Sequence, residues 1–228
     1  MVRLGAEFLV IVTGVLVALA ADGWREDQLN RDAEIEYVER LTEDLRADTT
    51  LLALEARLLV EKLAGLERLA RVGASWSPPS ADSLAAELTR ATMWSWAFVP
   101  AQSITFEEMR STGALSLIRD ASVRSAVADY YANYERVVLT IEARKPSFNA
   151  LTYRLVPRAQ EASGHLDFSA GPLLAEHRVV LGDPAVLAEI RQAATAERNF
   201  SGYSGASALG LHAAAVEVLG QLERYLSR

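Results

Sequence analysis

Hydrophobic residues return at every third or fourth position along most of the chain. No stretch sustains the every-second-position alternation of a half-buried strand. The pattern predicts an all-α protein. From Trp24 to about Val72 one stripe (Val38, Leu41, Leu45, Leu52, Leu59, Leu63, Leu66 and Ala70) predicts a long helix with a single apolar face. Written as a strict heptad from Val38, the second apolar position of successive repeats falls on Asp48, Glu55 and Lys62. That argues against a long two-stranded coiled coil and for a helix packed against its own domain. The charges between, as in "REDQLNRDAEIE", read as a solvated face.

Punctuation residues divide the remainder. Gly73 and Pro78–Pro79 end the long helix, and Ser80 or Asp82 caps a short one that stops before "TMWSWAFVP". A helix begins near Ser103 or Ile104 and ends at Gly113, whose freedom at positive φ suits a C-terminal stop. Asp120 caps the next, with Val123, Val127, Tyr130, Tyr134, Val137 and Ile141 on one face. Pro146 ends or kinks it, and helical pattern continues to about Ala162. Asp183 followed by Pro184 marks a further start, predicting a helix to about Asn199 and a last one from about Gly205 to Leu226. There is no internal repeat.

The opening segment departs from this pattern. From Leu4 to Ala21 the single charge is Glu7, and from Phe8 to Ala21 there is none. As a helix the longer stretch rises roughly 27 Å, just short of a hydrocarbon core of about 30 Å. The expectation is a transmembrane anchor over residues 1–24, with Phe8, Leu9, Val10, Ile11, Val12, Val15, Leu16, Val17 and Leu19 facing lipid and Trp24 at the interface. A helical extramembrane bundle then fills residues 25–228. Gly14 and Ala18 form a small-xxx-small pair for helix packing. A cleavable signal peptide is the rival, since Arg3 makes a short basic start and Ala18-Leu19-Ala20 a cleavage pattern. Arginine counts on either side do not set the orientation; the signal-like layout places the N-terminus in the cytoplasm and the bundle in the periplasm.

Composition narrows the function classes. The net charge is −7, and lysine occurs at two positions, Lys62 and Lys145. With no basic cluster, a nucleic-acid partner is not expected. The absence of cysteine removes disulfides, thiolate catalysis and cysteine-ligated metal. His165, His177 and His212 lack partners at ligand spacing, so no metal site is expected. "SGYSG" at Ser201–Gly205 has a tyrosine at its centre and no preceding strand, so it is no nucleophile elbow. These observations predict a non-enzymatic chain without cofactor. Trp76, Trp94, Trp96 and Phe98 are candidates for contact with a partner or the membrane interface; the alternative is that they cover the helical core.

Two stretches together resemble a known family: "GAEFLVIVTGVLVALAADGWRED" with the following "EIEYVERLTEDLRAD", and "TFEEMRSTGALSLIRDASVRSAVADYY", Thr105 to Tyr131. They are similar to the DUF6090-type family of bacterial single-pass membrane proteins. Phe106, Glu107, Ser111, Gly113, Leu115, Leu117 and Ile118 match its central element, and Met109 stands where leucine is usual. The resemblance implies an N-terminal hydrophobic helix and a helical domain, and supplies no catalytic residues. The chain thus reads as a bacterial inner-membrane protein with the bilayer and other membrane-protein subunits as partners. Its expected role is an accessory or scaffold subunit of a larger complex, such as a respiratory or photosynthetic one. The alternative is an extracytoplasmic ligand-binding or sensory domain, which predicts an apolar pocket with a few converging polar groups.

Overall fold

The computed structural model describes residues 2–92, 100–143, 148–157 and 175–228, with backbone alone for residues 2–11. Every regular element among them is helical: α1 (Val2–Leu69), α2 (Ala81–Thr92), α3 (Ile104–Thr112), a 3₁₀ turn (Ala114–Leu117), α4 (Ala121–Glu142), α5 (Phe148–Leu155), α6 (Ala175–Leu181) and α7 (Pro184–Leu226). One isolated bridge, Val72 to Trp76, is the sole β-type pairing among the described residues.

The predicted starts and stops hold where a side chain enforces them. The Asp120 carboxylate accepts the backbone N–H groups of Ser122 (3.0 Å) and Val123 (3.4 Å), which opens α4. Asp183 accepts the Ala185 N–H at 2.8 Å, and Pro184 opens α7. Ser80 accepts the Ser83 N–H at 3.1 Å ahead of α2. Gly113 closes α3 at φ 77°, a conformation costly for any residue with a Cβ.

The first long helix is continuous with the expected anchor: α1 runs unbroken from Val2 to Leu69. The two helices expected after Asp183 are one 43-residue helix. Ser201 and Ser204 lie buried on its inner face, the Ser204 hydroxyl bonds the Phe200 carbonyl, and a Cβ at Gly205 would stand 3.8 Å from Leu59. The small residues that read as a break are the places where α7 approaches α1 closely. The helix α6 carries no pattern that set it apart in the sequence.

The expected transmembrane helix is also not supported: among the described residues no helix is long and apolar enough to cross a membrane. The uncharged run whose side chains are described, Val12 to Ala21, rises only about 15 Å before Asp22, half of a hydrocarbon core.

By contact the chain divides into two compact units: Met1–Arg46, Gln102–Asp129 and Glu217–Arg228; and Ala47–Ala101 with Tyr130–Val216. The core of the first comprises Val38, Leu41 and Leu45 of α1, Phe106 and Met109 of α3, Ile118, Val123 and Val127, and Val218 and Leu222 of α7. In the second, Leu66, Leu69 and Val72 join Leu84 and Leu88 of α2, Phe148, Leu151 and Leu155 of α5, Leu181 of α6, and Ile190 and Ala194 of α7. There α1 and α7 run antiparallel. Leu59 lies by Gly205, Lys62 by Glu197, Glu67 by Arg198, and the Val72 carbonyl by Arg191.

Burial along α1 corrects the heptad argument. Val38, Leu45, Leu52, Leu59 and Leu66 are buried, and so are Glu34, Leu41, Asp48, Lys62 and Leu69 at the alternate position, with Glu55 half-buried. The seven-residue spacing therefore persists, and what fails at Asp48, Glu55 and Lys62 is apolarity. The long helix α7 repeats the device, with Ile190, Ala194, Glu197, Ser201, Ser204, Ala208, Leu211, Ala215, Val218 and Leu222 buried at alternating threes and fours.

Candidate functional site

Two features set this chain apart from a plain leucine-packed bundle. The first is a set of charges buried within each unit. Glu34 is 1% exposed and belongs to the first unit. One of its oxygens accepts the Arg119 backbone N–H at 2.7 Å and the Tyr225 hydroxyl, while the other lies 3.5 Å from the Arg119 guanidinium and 3.8 Å from that of Arg31. Burial first, then the Glu34 carboxylate, raises the Tyr225 phenol above its ordinary value. On the more exposed flank of the same unit, Glu108 accepts Tyr37 at 3.0 Å and Arg40 at 2.5 Å, bonds that hold its carboxyl below the usual range.

The second unit buries Asp48 and the Lys62–Glu197 pair. Tyr130 donates to Asp48 at 2.8 Å, and burial, reinforced by that carboxylate, pushes the phenol up. Tyr131 and Tyr134 stack edge-on around Tyr130, with centroids 5.0 and 5.9 Å away. Lys62 donates to Glu197, the two side chains being 2% and 0% exposed, and the Ser201 hydroxyl lies 3.4 Å from the same carboxylate oxygen. Burial lowers the Lys62 ammonium below its ordinary value, although Glu197 opposes the shift. Tyr225, Tyr130 and Lys62 each donate to one of these buried carboxylates. A polar residue at such a layer is costly against any helix lacking its partner, so the layers select one helix register.

The second feature is the start of α1. Every residue from Thr13 to Asp32 is exposed, a helical rise of about 30 Å. The proposed anchor residues fall here: Val15, Leu16, Val17, Leu19 and Trp24 are 54 to 68% exposed, and Val12 is partly so. Phe8, Leu9, Val10 and Ile11 belong to α1 by their backbone, their side chains lying outside the described residues. Ala18 is exposed, and nothing lies within 4 Å of where a Gly14 Cβ would stand, so among the described residues no helix packs on that pair. Of the aromatic candidates, Trp76 is partly buried and packs against the core of the second unit. Trp94, Trp96 and Phe98 lie outside the described residues.

An open groove of about 480 Å³ runs between α5 and α7. Leu151 and Ala193 line it, and the Arg154–Glu189 pair, 2.5 Å apart, lies along it. Among the described residues no group of three or more His, Asp or Glu is arranged to hold a metal. Comparison of the chain with protein-family models, with curated proteins and with solved structures finds no match.

The sequence reading missed the buried charges. The signal lies in Asp48, Glu55 and Lys62 at multiples of seven from Leu41, a repeat that is polar rather than broken.

Proposed function

We propose that the chain is a non-enzymatic, membrane-held interaction protein. Residues 1–24 enter a bilayer as an anchor, and residues 25–228 form a helical scaffold or accessory surface for other membrane-protein subunits. The setting is a bacterial inner membrane, with the bundle on the periplasmic side. One observation carries the reading: α1 holds an uncharged apolar stretch, residues 13–21, that is exposed at every position. Keeping Val15, Leu16, Val17 and Leu19 in water forgoes on the order of 1 kcal/mol each. In the sequence the uncharged run reaches back to Phe8, fourteen residues in all, and Trp24 follows where an interfacial aromatic belongs. The resemblance of the opening stretch and of Thr105–Tyr131 to the DUF6090-type family supports the same architecture.

The test is fractionation of cells expressing the full chain with a C-terminal tag. The full chain should stay in the membrane pellet through carbonate washing. Leu16→Arg with Leu19→Arg should release it, since each buried arginine costs about 3 kcal/mol near a bilayer centre. After mild detergent extraction the chain should migrate with other subunits. A parent chain that washes off with carbonate refutes the anchor, and a lone monomer refutes the scaffold.

The groove between α5 and α7 favours a second reading, a ligand-binding or sensory domain outside the membrane. In that case a small amphipathic ligand would compete with Glu189 for Arg154, and Arg154→Ala would abolish its binding.

A further inference from the structure

The anchor reading leaves open which headgroup charge the arm favours, and the residues around the arm bear on it. Val15, Leu16, Val17 and Leu19 are 54 to 63% exposed. At about 100° per residue they spread over roughly 200° of the helix circumference. A single neighbouring helix covers a stripe of about 100°, narrower than this arc, whereas hydrocarbon covers it whole, so the occupant consistent with this exposure is a bilayer. The helix then turns polar at once, and acidic. Asp22, Glu26, Asp27 and Asp32 are exposed beside Arg25 and Arg31. Between residues 22 and 44, nine carboxylates meet three guanidinium groups. These charges lie at the depth where a membrane's surface potential acts, which draws basic segments to anionic lipid and repels acidic ones to a similar degree.

Resting on the anchor reading, we propose that the arm selects a surface of zwitterionic headgroups over an anionic one, and that the acidic root of α1 from Asp22 to Asp32 is the selecting element. Trp24, 68% exposed among those charges, is placed to sit at headgroup level without requiring lipid charge.

The experiment is flotation of the full chain on vesicles of phosphatidylcholine alone and on vesicles in which phosphatidylglycerol replaces part of it. Two unbalanced negative charges at the root predict roughly tenfold weaker partitioning onto the anionic vesicles at low salt. The gap should close at molar salt, where the Debye length falls to about 3 Å. The double variant Asp22→Asn, Glu26→Gln, which leaves the root neutral, should remove the gap while leaving binding to phosphatidylcholine unchanged. Equal or stronger binding of the parent chain to the anionic vesicles overturns the inference and leaves the anchor standing. Failure to bind either vesicle overturns the anchor, and the inference with it.

Discussion

Replacing Lys62 by methionine probes the buried ion pair of the second unit. The stem is unbranched and of similar length, so packing is nearly conserved and the loss is the ammonium. Its partner Glu197 is fully buried, and the Ser201 hydroxyl, 3.4 Å from the same oxygen, is a neutral and distant donor that does not replace a cation. Breaking such a pair costs about 3–5 kcal/mol. For a chain of this size that lowers the thermal midpoint by roughly 10 °C. The double replacement Lys62→Met with Glu197→Leu removes both charges, and should recover to within about 1 kcal/mol of the parent or exceed it. Urea unfolding followed by circular dichroism, with slopes compared across the set, measures both quantities.

A third variant adds a pH signature. Burial places the Lys62 ammonium below its ordinary value of 10.5. Between that lowered value and 10.5 the unfolded chain holds a proton the folded chain has released, so this group makes stability rise with pH there and leaves it flat below. Glu197→Gln removes the anion that opposes the shift, which widens the window. Its deficit should therefore shrink as the solution is made more alkaline. A Lys62→Met chain less than about 1 kcal/mol below the parent, with no recovery in the double variant, would refute the reasoning.

Other outcomes follow from single contacts. Tyr225→Phe removes a hydroxyl donor from the buried Glu34 carboxylate and should cost about 1–3 kcal/mol, seen as faster amide exchange in the last turns of α7. Two glycines should respond in opposite directions to alanine in the same melting assay. Gly205→Ala should stabilise by about 0.5–1 kcal/mol, because the new Cβ meets Leu59 at an ordinary 3.8 Å within a helix. Gly113→Ala should destabilise by on the order of 1 kcal/mol, because φ is 77° there. Acidification should loosen the first unit. Glu108, held low by Arg40 and Tyr37, and Asp120, held low chiefly by Ser122, contribute stability above their ordinary values of 4.5 and 3.8. That contribution is lost as pH falls through their lower folded values. Hydrogen exchange in α3 and α4 between about pH 5 and pH 2 would register it, and Arg40→Gln should move the loss in α3 to higher pH.

Local chemistry made much of the backbone legible. A cap is written within three residues of the helix it opens, which is why Asp120, Ser80 and Asp183–Pro184 marked their helices correctly, and Gly113 announced the end of α3 by being the residue that tolerates positive φ. The face of α4 was likewise correct, with Val123, Val127, Tyr130, Tyr134 and Ile141 buried. The candidate arm was readable as an uncharged run. Its exposure was not, because exposure depends on which other elements come near.

Tertiary structure decided the rest, and for one physical reason. Whether a charge is tolerated inside depends on a partner far away in sequence: Glu34 accepts from Tyr225, Asp48 from Tyr130 and Glu197 from Lys62. Read alone, those residues interrupt an apolar stripe. Packed, they complete it, just as buried Ser201 and Ser204, with Gly205 beside Leu59 of α1, complete the inner face of α7. Sequence by itself determined the capped starts at Ser80, Asp120 and Asp183, the stop at Gly113 and the apolar face of α4; the pairing of distant groups determined which polar residues belong inside.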